Sequence, residues 1–232
     1  MSNRHKLLAG LGLGALAVMA LVVQLIWSGY RETINVAQTT TRGYAALLEA
    51  RLSDVLRRVD ADLQALQHTT PAVAMNPDSA AQHAQLNATL KARLIQFPEV
   101  AGLSILDAKG DTRYTSYTDS SRPNFADRGF FRTLRNNPRA TVVFSEVIAA
   151  RNTGRHGFAV ARPLRDQDGI FRGVVVALIE LEHFRKLFQS LHVGANGNIA
   201  IYRSDDFRQV LRWPEIKGRL NVPLPAGNPA QT

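Results

Sequence analysis

The chain has 232 residues, is 45% apolar and 20% charged, carries a formal charge of +9 at pH 7 and has an isoelectric point near 10.4. That apolar content and length fit one ordinary domain with extensions and set intrinsic disorder aside. The arginines are scattered, with no basic run and no aromatic interleaving, so no nucleic-acid partner is expected, and the absence of cysteine excludes structural disulfides, thiolate zinc sites and thiol catalysis.

Residues Leu7 to Trp27 form an apolar run broken only by Gln24. About 21 residues at ~1.5 Å each reach ~31 Å, the thickness of a hydrocarbon core. Arg4, His5 and Lys6 precede the run, and Trp27 and Tyr30 lie at its far end. Basic residues stay on the cytoplasmic side and aromatic rings favour the interface. The expectation is a transmembrane helix with its N-terminus in the cytoplasm and the remainder outside a bacterial inner membrane, in the periplasm. A cleaved signal peptide is the competing reading. Its apolar region would be only ~7–15 residues with small residues just after it, whereas Ala15-Leu16-Ala17 lies inside this run. Gly10 and Gly14 form a small-xxx-small pair that lets two membrane helices approach closely, although glycine is also simply common in such helices.

Arg31 to Gln67 contains no proline and reads as one long helix. Ala45, Leu48, Leu52, Val55, Val59, Leu63 and Leu66 recur at steps of three and four, which makes one apolar face. Two uses fit that face: packing on the chain's own sheet, or pairing as a stalk with a second copy. Both can hold on different parts of its length. Pro71 and Asn76-Pro77-Asp78-Ser79 break the helix, and Asp78 or Ser79 is placed to cap a second one through Leu86, Leu90 and Leu94. Val100 to Leu106 and Thr112 to Tyr117 read as a pair of strands around an Asp107–Asp111 turn, and Asp119 to Asn124 as polar loop.

The stretch from Asp127 to Leu181 organises the rest. A short polar and aromatic segment, Asp127-Arg128-Gly129-Phe130-Phe131, leads into strands expected at Thr141–Ile148, Gly157–Leu164 and Ile170–Leu181. The last two are joined by Arg165–Gly169, which ends in Asp-Gly, a strong hairpin signal. A helix follows over Glu182–Leu191. Gly194-Ala195-Asn196-Gly197 then turns into a strand at Asn198–Arg203, and Val210–Trp213 is a last apolar segment.

This order resembles the extracytoplasmic Cache sensors, also called PDC domains, which carry a PAS-like antiparallel sheet on bacterial histidine kinases, chemoreceptors and diguanylate cyclases. Asp127-Arg128-Gly129-Phe130-Phe131 is similar to the family's Asp-Arg-x-aromatic-aromatic segment. Ala161-Arg162-Pro163-Leu164 resembles the Arg-Pro-Leu ending a core strand, and Asp168 to Val175 resembles the turn and strand that follow it. Leu191 to Ile199 looks like the passage into the second, membrane-proximal lobe. The resemblance spans roughly Arg31 to Pro214 and implies an α+β fold. Its expected parts are a cytoplasmic tail at 1–6, a membrane helix at 7–27, a stalk helix at 28–70, a sensor lobe at 71–192 and an incomplete second lobe at 193–232. Double-Cache receptors go on to a full second lobe, a second membrane helix and an output domain, so the resemblance implies a fragment of a longer receptor, the favoured reading, or a truncated gene product.

Arg128 is the first candidate ligand contact, because a guanidinium fork matches a carboxylate. Phe130 and Phe131 would form an apolar wall, Tyr114 and Tyr117 would add hydroxyls, and Arg162 a second positive charge. Each also has a plainer role: tandem Phe is usually core, and a lone Arg usually pairs with a neighbour such as Asp127. Amino-acid-binding members of the family carry Arg-x-Trp-Tyr at this place. Here Phe130 and Phe131 lack the indole N–H and the phenol, which disfavours an amino acid and leaves open a mono- or dicarboxylate or no small ligand at all. The histidines form no ligand pair at helical spacing, Asp205-Asp206 reads as a solvated turn, and no phosphate loop or nucleophile elbow occurs. No cofactor, metal or catalytic role is therefore expected.

The resulting expectation is a membrane-anchored small-molecule sensor, homodimeric through its stalk and membrane helices, feeding a diguanylate cyclase or histidine kinase. The alternative is a periplasmic protein-interaction module without a small ligand. The disposition of Arg128 and Arg162 discriminates: convergence on one cavity favours sensing, and opposite faces favour a protein partner.

Overall fold

Helix α1 runs Ser2–Thr69, beyond both ends of the Arg31–Gln67 span read as one long helix. The computed structural model describes residues 2–70, 80–118, 122–191, 193–194, 197–225 and 227–228; within α1, side chains are described at 14, 16, 18–32 and 37–69. The chain divides into two compact units, Met1–Arg51 and Leu52–Thr232.

In the first unit a run of large apolar side chains, from Leu16 through Leu21 and Ile26 to Tyr30, is exposed, and the Arg31 guanidinium lies 5.3 Å from the Trp27 ring centroid. The expected membrane span, Leu7 to Trp27, begins outside the described side chains, as does Gly10 of the small-residue pair. Among the described residues, no helix is long and apolar enough to cross a membrane.

In the second unit α1 buries Val55, Val59, Leu63 and Leu66, the lower part of the predicted stripe. Helix α2 is Ala80–Leu94. The breaks at Pro71 and Asn76–Ser79, and the capping role of Asp78 or Ser79, lie outside the described residues, as do part of the Asp119–Asn124 loop and Ala195-Asn196.

The sheet has five strands: β1 (Val100–Asp107), β2 (Thr112–Thr115), β3 (Val143–Ala149), β4 (His156–Arg165) and β5 (Phe171–Glu180), in the order β2-β1-β5-β4-β3. Every neighbouring pair is antiparallel. Strands β4 and β5 are inner strands covered on both faces, which is why they read as apolar runs without alternation. Gly173 permits the β1–β5 approach, since a Cβ there would sit 2.0 Å from the Leu106 carbonyl oxygen.

The Asp127–Phe131 segment is helical from its third residue: α3 spans Gly129–Asn136, with Arg128 extended at its N-cap. Phe130, Phe131 and Leu134 share one face and bury it against Leu106, Ile148, Ala159, Ala161, Val174 and Val176. By the pleat, Val160, Arg162, Val175 and Ile105 face the other way, toward α1 and α2. Helix α4 (Leu181–Ser190) leads to a separate hairpin, β6 (Ile199–Tyr202) with β7 (Gln209–Trp213). The segment read only as apolar, Val210–Trp213, is thus the partner strand of that hairpin.

Candidate functional site

Arg128 is held at the N-cap of α3, where its Nη2 donates to the Ala149 carbonyl at 3.0 Å. Its Nε is buried and has no hydrogen-bond partner among the described residues, the costly condition for a charged donor unless something else completes it. The neighbouring Asp127 engages Arg151 at 2.5 Å. The hydrogen bond from Arg151 and that residue's charge hold the Asp127 carboxyl below the usual range. Arg151 also donates to the Asn124 carbonyl and lies 5.4 Å from the Phe125 ring centroid.

On the α3 face of the sheet is a small cavity of about 40 Å³ bordered by Ser104, Tyr117, Phe125, Phe130, Ala149 and Arg151; Arg128 reaches its rim through the Ala149 carbonyl and is not itself in the lining. The Tyr117 ring lies across Gly102, where a Cβ would sit 2.3 Å from it. Absence of a side chain at Gly102 is therefore what lets this ring fold onto the sheet.

The expected contacts divide between the two faces. Tyr117, Arg128 and Phe130 gather on the α3 side. Phe131 is on the same side but fully buried, its ring edge-on to Phe171 at 5.6 Å and 83°. Tyr114 pairs with Ile105 across β1–β2, which turns it to the opposite face, where its ring centroid is 4.7 Å from that of His83 on α2. Burial pushes its phenol pKa up against the opposing influence of Arg113. Arg162 is on that opposite face too, donating from Nε and Nη2 to the two Asp60 carboxylate oxygens at 2.7 and 2.8 Å. Arg128 and Arg162 therefore do not converge on one cavity.

A second, larger cavity of about 670 Å³ lies between α3 and β3 on one side and the β6–β7 hairpin on the other, with Phe130, Phe144, Glu146, Tyr202 and Arg203 in its walls. Sequence reading passed over it because its residues come from distant segments with no shared spacing. The Asp205-Asp206 turn is exposed and ion-paired: Arg203 Nε donates to Asp205 at 2.9 Å and approaches Asp206 at 3.4 Å. The Arg203 hydrogen bond lowers the Asp205 pKa to about 2. Asn221 ties the hairpin region to the sheet edge. Its Nδ2 donates to the Val147 carbonyl at 2.7 Å, and its Oδ1 accepts from the Val147 N–H at 3.0 Å.

A family model described as "Cache domain" matches residues 30–217. The chain belongs to the Cache domain family. Among curated proteins, this Cache chain is similar to sporulation kinase D of Bacillus subtilis (strain 168), at 29% identity over 94 residues, which is 40% of this chain and 18% of that protein. Among solved structures it is similar to the extracellular domain of rpHK1S-Z16, a protein named as a histidine kinase. That match has 29% identity and a TM-score of 0.62 and covers 71% of this chain and 65% of that one. An extracellular ligand binding receptor from Desulfohalobium retbaense shares the fold, at 17% identity and a TM-score of 0.55, over 70% of this chain and 29% of that one. The chain thus spans less than two thirds of these relatives' own lengths. With Cache membership come sensing and signal transduction as the general role. No catalytic domain stands out among the described residues, and no group of three His, Asp or Glu side chains among them is placed to hold a metal ion.

Proposed function

We propose that this chain is the extracytoplasmic sensing part of a membrane-anchored receptor, and that it binds a small carboxylate beside Arg128. The observation that carries the reading is the buried Nε of Arg128, unpartnered among the described residues, on a guanidinium bonded to Ala149, which walls a cavity together with Tyr117 and Phe130. A carboxylate oxygen would complete that donor, and the rings would cover its apolar body. At about 40 Å³ the cavity holds little more than a water molecule. Ligand entry would therefore displace the Tyr117 ring from its place over Gly102.

The exposed apolar run from Leu16 to Tyr30 supports an inner-membrane anchor, because contiguous apolar surface of that kind marks contact with lipid or protein. The division proposed is a tail at 1–6, an anchor at 7–27, a stalk at 28–70 that pairs two copies, a sensor lobe at 71–192 and the start of a second lobe at 193–232. A histidine kinase or diguanylate cyclase would supply the output. Ligand binding would shift the balance between arrangements of the sheet against α1, by as much as its affinities for the two differ.

The opposed placement of Arg128 and Arg162 favours a second reading, in which the lobe binds a periplasmic protein. A thermal-shift screen of the full chain against carboxylates, amino acids and polyamines separates the two. Saturating ligand at a hundredfold excess over Kd stabilises by ~2.7 kcal/mol. A shift with a carboxylate that vanishes in Arg128→Ala supports the sensor, and no shift with a folded protein favours the partner.

A further inference from the structure

We propose that the groove between the sheet edge and the β6–β7 hairpin is a second binding site, one that takes an organic cation with an apolar body. This inference stands apart from the carboxylate site at Arg128. The groove's volume, about 670 Å³, falls within the ~300–1,000 Å³ of small-molecule sites. Its walls are rich in rings. Phe130, Phe158 and Phe184 are buried behind it, while Phe144 keeps 42% of its surface exposed. Tyr202 stands half-buried on the hairpin side.

The charges decide the sign of the ligand. Arg203, the cation in the groove wall, gives its donors to Asp205 and has Asp206 close by. With a pKa near 2, Asp205 remains an anion to hold it. Glu146 on β3 also lines the groove. Its carboxylate makes no hydrogen bond or ion pair among the described residues; its field only adds to the upward shift of the Arg203 pKa. The lining charges, Glu146 and Asp205 against Arg203, leave the groove negative in a chain of net charge +9. An anion would meet there the Glu146 carboxylate, which has no direct partner among the described residues. An ammonium group would meet that carboxylate and the negative faces of exposed rings, the combination that recognises alkylated amines. Because Glu146 and Phe144 belong to β3 and Tyr202 to β6, a bound cation would bridge the sheet and the hairpin.

The test is isothermal titration of the full chain, in non-ionic detergent, with benzyltrimethylammonium chloride against benzyl alcohol and benzoate. The site predicts a Kd below about 1 mM for the cation, as expected from combined ring and charge contacts, with tighter binding than either comparator. Glu146→Gln should weaken the cation by about fivefold or more, the scale of one partly exposed charge contact. Phe144→Ala should weaken it as well. Both Glu146 and Phe144 are exposed, and unchanged circular dichroism confirms that each variant folds. Equal binding of benzyl alcohol, no binding of the cation at ~10 mM, far above the Kd expected for such contacts, or full affinity in Glu146→Gln overturns the proposal. Loss of carboxylate binding in Arg128→Ala concerns the other site alone.

Discussion

Arg162 and Asp60 form a two-point ion pair, 2.7 and 2.8 Å, that fastens strand β4 to helix α1. The Arg162 side chain is 12% exposed and that of Asp60 29%, so the pair is largely removed from water. Removing one partner strands the other as a buried charge. Asp60→Asn should therefore destabilise the fold by about 2 kcal/mol, below the full cost for a completely buried pair. The double variant Asp60→Leu with Arg162→Met should recover much of the loss. Urea denaturation of the single and double variants checks this; equal losses in both would show that the pair matters only as packing.

Phe131 is a core residue by its surroundings, so its truncation should cost stability whatever the ligand. Phe131→Ala is expected to lose roughly 4 kcal/mol, the usual figure for a fully buried ring. Thermal denaturation without ligand measures it. A loss below ~1 kcal/mol, far from the range for buried aromatics, would mean that the ring is dispensable to the core.

Gly102→Ala should push the Tyr117 ring off the sheet, since the new Cβ would lie 2.3 Å from it. The expected loss is about 1–2 kcal/mol, typical of overpacking. In a Tyr117→Ala background the same change should be nearly neutral. A double-mutant cycle gives the coupling directly; an unchanged cost in that background would place the clash on the backbone instead.

Asn221 has a positive φ of 59°, so glycine is the substitution that removes its side chain without straining the turn. Asn221→Gly deletes both hydrogen bonds to Val147, at about 1 kcal/mol each. Amide exchange at Val147 should accelerate while the inner strand β5 stays protected. Parallel acceleration of both would indicate global rather than local loosening.

Asp205 offers a pH test. Its Arg203 hydrogen bond lowers its folded pKa to about 2, below the ~3.9 of an unfolded aspartate. A depressed carboxyl stabilises the fold above the unfolded value, and that contribution fades as pH falls toward the folded one. The effect should appear between about pH 4 and pH 2, the interval between those two pKa values. Arg203→Ala should return the carboxyl to the ordinary range in an NMR titration.

Much of the architecture was legible because helix stripes and strand runs have distinct periods. Val55, Val59, Leu63 and Leu66 repeat as a helix and are buried as one; Gly157–Leu164 and Ile170–Leu181 read as strands and pair as β4 and β5. Helix α3 escaped notice because it has only eight residues, too few for a periodic signal. Its signature was the spacing of Phe130, Phe131 and Leu134 ahead of Pro138. The face occupied by Arg162 was not legible at all. A strand covered on both sides shows no polar–apolar alternation, so nothing in Phe158–Leu164 says which residues point the same way. The six contacts expected for the site were therefore separated by a pleat that only the register reveals.

The Phe130 ring is a wall of both the small cavity beside Arg128 and the large groove at the hairpin. A single rotamer change at this position alters the two volumes together. Two occupants separated by one ring are thermodynamically linked: whatever factor the first imposes on the affinity of the second, the second returns to the first. If the two proposed occupants excluded one another through that ring, the lobe would register a ratio of two solutes rather than the amount of one.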